Sequence, residues 1–246
     1  MHLTSGETRP AFQSVSKKYK GKTCVYCGGI GISDTRDHVL AREFVLERHR
    51  LNLPAVPACK ACNNAKSKLE TELTTVLPFG GRHADANENM STMVPKRLRA
   101  NPGLRSEIER DLTPVWLPTP SGIFQRTSII QVDSQNIDAW VSLLTIGLIW
   151  YHWSVIVAGV ADVELMLVPA ERENIFSHLF KAKVSRRVPP TSIGGDALIY
   201  EGVMGHDNPL ASAWRFAIYG GLQLGGDDPR RRATTFYVTV IPRNSS

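Results

Sequence analysis

Cys24-Val25-Tyr26-Cys27 and Cys59-Lys60-Ala61-Cys62-Asn63-Asn64-Ala65-Lys66, with Asp37-His38 in the loop they enclose, are the stretches that decide how this chain is read. The sequence has four cysteines, and all of them fall in these two Cys-x2-Cys pairs. Two such pairs let four thiolates converge on one Zn2+ in tetrahedral geometry, with Zn–S about 2.3 Å, and each pair closes a tight knuckle. Gly28 and Gly29 directly after Cys27 suit a knuckle. Two disulfides would need an oxidising compartment, and a redox Cys-x2-Cys would not need a second pair. A shared zinc is therefore the expected use of Cys24, Cys27, Cys59 and Cys62. Four sulfur ligands leave no open position for water, so that zinc is structural and chemistry must come from neighbouring side chains.

The Asp37-His38 pair, Asn52-Leu53 ahead of Cys59, and the ending Cys59-x2-Cys62-Asn63-x2-Lys66 resemble the HNH (ββα-metal) endonucleases. The resemblance is to the variant with a four-cysteine zinc and Asn at the last motif position, and it covers residues from about 20 to 77. It implies that His38 is the general base that takes a proton from the attacking water, a task suited to an imidazole titrating near neutral pH. It implies that Asp37 and Asn63 hold one catalytic divalent cation, for which oxygen ligands favour Mg2+ or Mn2+. Asn52 then stands at the middle Asn, whose amide ties the loop between two strands and so orients the histidine. Lys66, one turn beyond Asn63, is placed to reach a phosphate. The product would be a nick with 5′-phosphate and 3′-hydroxyl ends. Asn63, in the place of the more usual His, is a neutral and weaker ligand, so modest metal affinity is expected.

After Cys62 the apolar residues Ala65, Leu69, Leu73, Val76 and Leu77 recur at three- and four-residue steps. That is the period of an amphipathic helix, with Asn63 near its N-terminus where the dipole favours a phosphate. Leu40 to Arg50 reads as a short helix with Phe44 and Val45 inward and Arg42, Arg48, His49 and Arg50 toward solvent. Residues 78–103 are rich in Gly, Pro and Asn without a period and are expected to be a linker, in which Arg82 is a candidate nucleic-acid contact. Beyond it the pattern predicts helices over 102–112, 136–157 and 170–181, and strands over 122–132, 197–204, 213–222 and 234–241. Gly194-Gly195-Asp196 and Gly225-Gly226-Asp227-Asp228 read as turns.

The expected fold is α+β: an HNH domain with basic arm and linker over residues 1–100, then an α+β domain over 101–246 that selects substrate or assembles the protein. A formal net charge of +6 makes an anionic partner plausible. Lys17, Lys18, Lys20 and Lys22, with Tyr19 among them, adjoin the zinc pairs and are the expected backbone contacts. DNA is the partner favoured by the resemblance; the residues themselves do not distinguish DNA from RNA. Cutting both strands requires two nicks or a homodimer.

Ala139 to Ala161 lacks charged side chains and matches the roughly 20-residue length of a membrane span. Ser142, Thr145, His152 and Ser154 interrupt it, and Trp150-Tyr151-His152-Trp153 lie at its centre, where bilayer aromatics prefer the edges. A buried helix is expected, with His152 hydrogen-bonded in the core, and no membrane partner. Met1 to Pro10 lacks the apolar core of a secretory signal, and thiols committed to zinc fit a reducing cytoplasm. Two other classes remain open at this stage: a zinc-stabilised nucleic-acid binding module without catalysis, and a nuclease gated by a ligand or partner through the C-terminal half.

Overall fold

Thr35–His38 (β1) and Ala55–Ala58 (β2) pair antiparallel, with Asp37 opposite Val56 and His38 opposite Ala55. Helix α1, Lys60–Val76, follows directly, capped by the side chain of Cys59. The computed structural model describes residues 18–118, 121–169, 172–181, 184–222 and 233–243. The arm before residue 18, with Lys17, and the stretch holding Gly225 to Asp228 lie outside the described residues.

The connection between β1 and β2 is not the helix its composition suggests. It is two 3-10 turns, Arg42–Phe44 and Glu47–His49, separated by extended backbone at Val45. Phe44, Val45 and Leu46 are buried there while Arg42 and Arg48 are exposed, because the segment lies flat on the core instead of presenting one helical face.

The expected linker is also structured. A 3-10 turn at Leu77–Gly80 leads into α2 (Ala84–Thr92), α3 (Val94–Ala100) and α4 (Pro102–Asp111). The residues that resemble breakers are the caps of these short helices. His83 accepts from the amide of Asp85, Pro95 occupies the first turn of α3, and Asn101 accepts from the amide of Leu104 just before Pro102.

The remainder is mixed helix and antiparallel sheet. Thr113–Pro118 (β3) and Phe124–Ile129 (β4) form a two-stranded hairpin that leaves Trp116 and Phe124 exposed. Helix α5, Ser134–Trp153, starts on an Asp133 cap and ends at Ser154 with φ 58°. Ala161–Pro169 (β5), the short helix α6 (Glu173–Ser177), Arg186–Ile193 (β6), Leu198–Met204 (β7), Ser212–Ile218 (β8) and Ala233–Pro242 (β9) follow. The five strands form one antiparallel sheet in the order β5-β9-β8-β7-β6. Pro189 and Pro190 cannot donate to a ladder, and they sit on the edge strand β6 where its register with β7 shifts.

Alternation sends Tyr200, Trp214, Phe216 and Ile218 inward beneath α5. Gly202 stands opposite Trp214 on the neighbouring strand, and a Cβ there would lie 2.6 Å from the indole. On the outer face Phe176 and Phe180 cover Tyr237. Helix α5 is buried on most sides, and its His152 bonds the Tyr200 hydroxyl at 2.9 Å. Among the described residues no helix is long and apolar enough to cross a membrane. One hydrophobic core joins residues before and after position 100: Phe44 stacks on Trp140 with ring centroids 4.9 Å apart, and α5 also packs against β2 and α1.

Candidate functional site

The sulfurs of Cys24, Cys27, Cys59 and Cys62 all lie within 4.8 Å of one another. The first knuckle is closed by bonds of 2.9 Å from the Gly28 amide to the Cys24 carbonyl and from the Cys24 amide to the Gly29 carbonyl. Gly28 has φ 73°, which is why a glycine follows Cys27. The second knuckle is the start of α1. The Cys59 amide donates to Cys24 Sγ at 3.3 Å, and the Cys62 amide donates to Cys59 Sγ at 3.5 Å. Burial first, and then the neighbouring sulfurs, push the Cys62 thiol up. A coordinated cation reverses that balance and deprotonates the thiols. The group is thus positioned to hold a metal ion, and four sulfur donors with amide hydrogen bonds suit a structural Zn2+.

Asp37 and His38 are the last two residues of β1, and α1 is turned toward them. Lys66 reaches back from α1 with its side chain fully buried. Its Nζ lies 2.8 Å from the His38 carbonyl oxygen, 3.1 Å from Asp37 Oδ2 and 2.7 Å from Glu70 Oε1. The Tyr26 hydroxyl, from the first knuckle, donates to the same Asp37 Oδ2 at 2.5 Å. Among the described residues Asp37 Oδ1 takes no protein hydrogen bond, and neither do the side-chain amide of Asn63 or the imidazole of His38. Asn63 lies three residues before Lys66, on the same side of α1 and near its N-terminus.

Electrostatics follow from this packing. Burial holds the His38 imidazole below its ordinary pKa, and the guanidinium groups of Arg36 and Arg42 add to the effect. Its neutral form therefore predominates at neutral pH. Burial, with the Asp37 carboxylate next, raises the Tyr26 phenol well above its usual range, so it stays a donor. Burial pushes the Glu70 carboxyl up to about 7 even though Lys66 pulls it down.

No family model, curated protein or solved structure matches the chain.

Two expected roles are corrected by the geometry. Lys66 does not face solvent for a phosphate; it is enclosed by three oxygens behind Asp37-His38. Its spacing from Asn63 gave the helix face correctly, but that face is turned inward. Asn52 makes no side-chain hydrogen bond among the described residues, so its amide does not tie the loop. It is exposed at φ 60°, a left-handed backbone that asparagine tolerates, at the turn into β2.

The connection is tied elsewhere. The Phe44 carbonyl accepts from the Tyr219 hydroxyl at 2.5 Å and from the Asn89 amide at 3.4 Å, and Arg97 donates to the carbonyls of Glu43 and Thr74. None of these residues carries a local signal, since every one of these bonds joins residues more than twenty positions apart in sequence.

Lys18, Lys20 and Lys22 are exposed on the segment entering the first knuckle, which is bonded to the residues ahead of β1 through Gly21 and Ser33. Arg82 is exposed, with its amide on the Tyr219 carbonyl at 2.8 Å. The cations whose field reaches His38 from the surface are Arg36 and Arg42.

Proposed function

We propose that this chain is a metal-dependent endonuclease of the HNH (ββα-metal) type, acting on DNA phosphodiesters with His38 as general base. The observation that supports the proposal is the packing of Asp37-His38, at the end of β1, against Lys66 of α1, the helix that also carries Asn63 one turn earlier. The cysteine group joins the segment ahead of β1 to the start of α1.

The residues fit a divalent cation by donor chemistry. Asp37 Oδ1 and the Asn63 amide oxygen are oxygens without protein hydrogen bonds among the described residues, a hard donor pair suited to Mg2+ or Mn2+ and too few to satisfy one without water and phosphate. When bound there, such an ion stabilises the charge that grows on the phosphate in the transition state. The chain's own side chains do the rest. His38, largely neutral at pH 7 and with both ring nitrogens free of protein partners among the described residues, takes the proton from the attacking water. Arg36 and Arg42 attract the phosphodiester, and Lys18, Lys20 and Lys22 extend the basic surface along the backbone.

A specific observation also supports control from the C-terminal half. The turn at Gly194-Gly195 rests on Val45 and His49, and Tyr219 holds the Phe44 carbonyl, so the five-stranded sheet grips the connection between β1 and β2.

The test is nicking of supercoiled plasmid by the zinc-replete protein with Mg2+ or Mn2+, beside EDTA and His38→Ala. Metal-dependent nicking lost in His38→Ala, with zinc content and fold kept, is the expected result. DNA binding without cleavage in any metal would replace the nuclease by a binding module.

A further inference from the structure

Resting on the nuclease reading, and deepening it, we infer that Tyr26 and Lys66 are positioning residues that clamp Asp37 by a single oxygen. Asp37 then meets the divalent cation through Oδ1 alone, and the strand end carrying His38 is held from behind.

The geometry is specific. Both donors converge on Oδ2, the hydroxyl at 2.5 Å and the ammonium at 3.1 Å, so the carboxylate cannot rotate to offer both oxygens without breaking two buried bonds. Each arm has its own anchor. Tyr26 lies between Cys24 and Cys27, so metal in the cysteine group fixes its backbone. Helix α5 closes against it at Gly147, where a Cβ would stand 3.5 Å from the phenol oxygen and 3.0 Å from Val39. Lys66 is anchored by Glu70 one turn further on, at 2.7 Å. A third bond, from Lys66 to the His38 carbonyl at 2.8 Å, fixes the backbone of the base itself.

A buried ammonium is costly unless it is fully paired, and packing alone at position 66 is satisfied by an uncharged side chain of similar length. What the ammonium adds is orientation of two consecutive site residues and a fixed positive charge beside the carboxylate. That charge opposes a second cation, which keeps metal affinity modest until a phosphate contributes its own negative charge.

The experiment uses the full zinc-replete chain, Mn2+ as probe and supercoiled plasmid as substrate, with Tyr26→Phe and Lys66→Met. Mn2+ affinity is read by water-proton relaxation and nicking by steady-state kinetics. Tyr26→Phe keeps the ring and is expected to retain zinc and fold, with a midpoint lower by only a few degrees, while kcat falls about tenfold at unchanged KM. Lys66→Met is expected to bind Mn2+ about tenfold more tightly, by loss of the opposing charge, while kcat falls about a hundredfold or more. Tighter metal with slower turnover is a combination that mere loss of packing does not produce.

Native kcat and native Mn2+ affinity in folded variants would overturn the clamp and leave the nuclease reading intact. A native protein that neither binds Mn2+ nor nicks would overturn both. If Lys66→Met fails to fold, Tyr26→Phe decides: a native kcat there overturns the clamp.

Discussion

Lys66 Nζ lies 2.7 Å from Glu70 Oε1 in a site where both side chains are almost wholly buried. The pairing does not keep Glu70 at an ordinary acidity, because burial outweighs the ammonium and the Asp37 carboxylate is close by. The sign follows from proton counting. Between 4.5 and about 7 the folded protein holds the Glu70 proton that the unfolded chain has released, so stability is fullest below 4.5 and is lost as pH rises to about 7. The loss amounts to roughly 3 kcal/mol. Glu70→Gln removes this dependence while keeping an acceptor for Lys66. Urea midpoints of the variant relative to the native chain should therefore move in the variant's favour between pH 4.5 and 8. A constant difference across that range would show that Glu70 ionises normally.

Removing one sulfur should cost the protein its metal and much of its stability. Cys24 and Cys59 are buried, and the Cys59 amide is bonded to Cys24 Sγ, so the group ties the N-terminal segment to the start of α1. One zinc per native chain is expected by metal analysis, and Cys59→Ser should fall well below that. Apparent binding energies of structural zinc are on the order of 10 kcal/mol, so the thermal midpoint should drop by many degrees. Chelator-treated native protein should behave in the same way. A native midpoint after complete metal removal would sink the structural role.

The sequence carried the four-cysteine group further than it carried the element boundaries, and the residues show why. Cysteine spacing and the adjacency of Asp37 to His38 are local, so the knuckles and the position of Asp37-His38 in the loop between them were legible without coordinates, whereas β1 itself, four residues long, was not. The period after Cys62 gave α1 but not the direction of Lys66, because a lysine among charged neighbours looks solvated unless Asp37 and Glu70 are known to face it. Strands β3, β5 and β6 were missed. Ala161–Pro169 follows directly on the apolar run of α5, and the paired prolines in Arg186–Ile193 argue against a strand unless it lies at an edge. Helices α2 and α3 were missed because their His, Asn and Pro caps have the composition of a loop.

The grip of the C-terminal sheet on the site can be loosened at one atom. The Tyr219 hydroxyl is buried and donates to the Phe44 carbonyl while accepting from Asn89 at 3.2 Å. Tyr219→Phe keeps the ring and leaves two buried partners without it, at a cost of about 1–3 kcal/mol. Gly194→Ala attacks the same connection from the other side, since its φ of 69° disfavours a side chain and a Cβ would meet Val45 at 2.7 Å. The two changes should couple non-additively, because both act on the segment from Phe44 to Val45. A double-mutant cycle on urea midpoints measures that coupling. Strict additivity would mean that the two ends of the segment respond independently.

If the proposed nuclease binds DNA, the salt dependence of that affinity should separate the cations proposed to touch phosphate from the one that is buried. Arg36 and Arg42 are exposed near His38, whereas the Lys66 side chain is fully buried against Asp37 and Glu70. Each phosphate contact contributes about 0.9 to the slope of log affinity against log salt on duplex DNA. Arg42→Ala and Arg36→Ala should each lower the slope by about that amount, with weaker binding that does not depend on sequence. Lys66→Met should leave the slope at its native value even where turnover collapses, because its ammonium releases no counterion. Fluorescence anisotropy with a labelled duplex over a salt series, in Ca2+ to suppress cleavage, measures all three. A slope that falls by about 0.9 in Lys66→Met would mean that the ammonium leaves its buried cage to meet the backbone on binding.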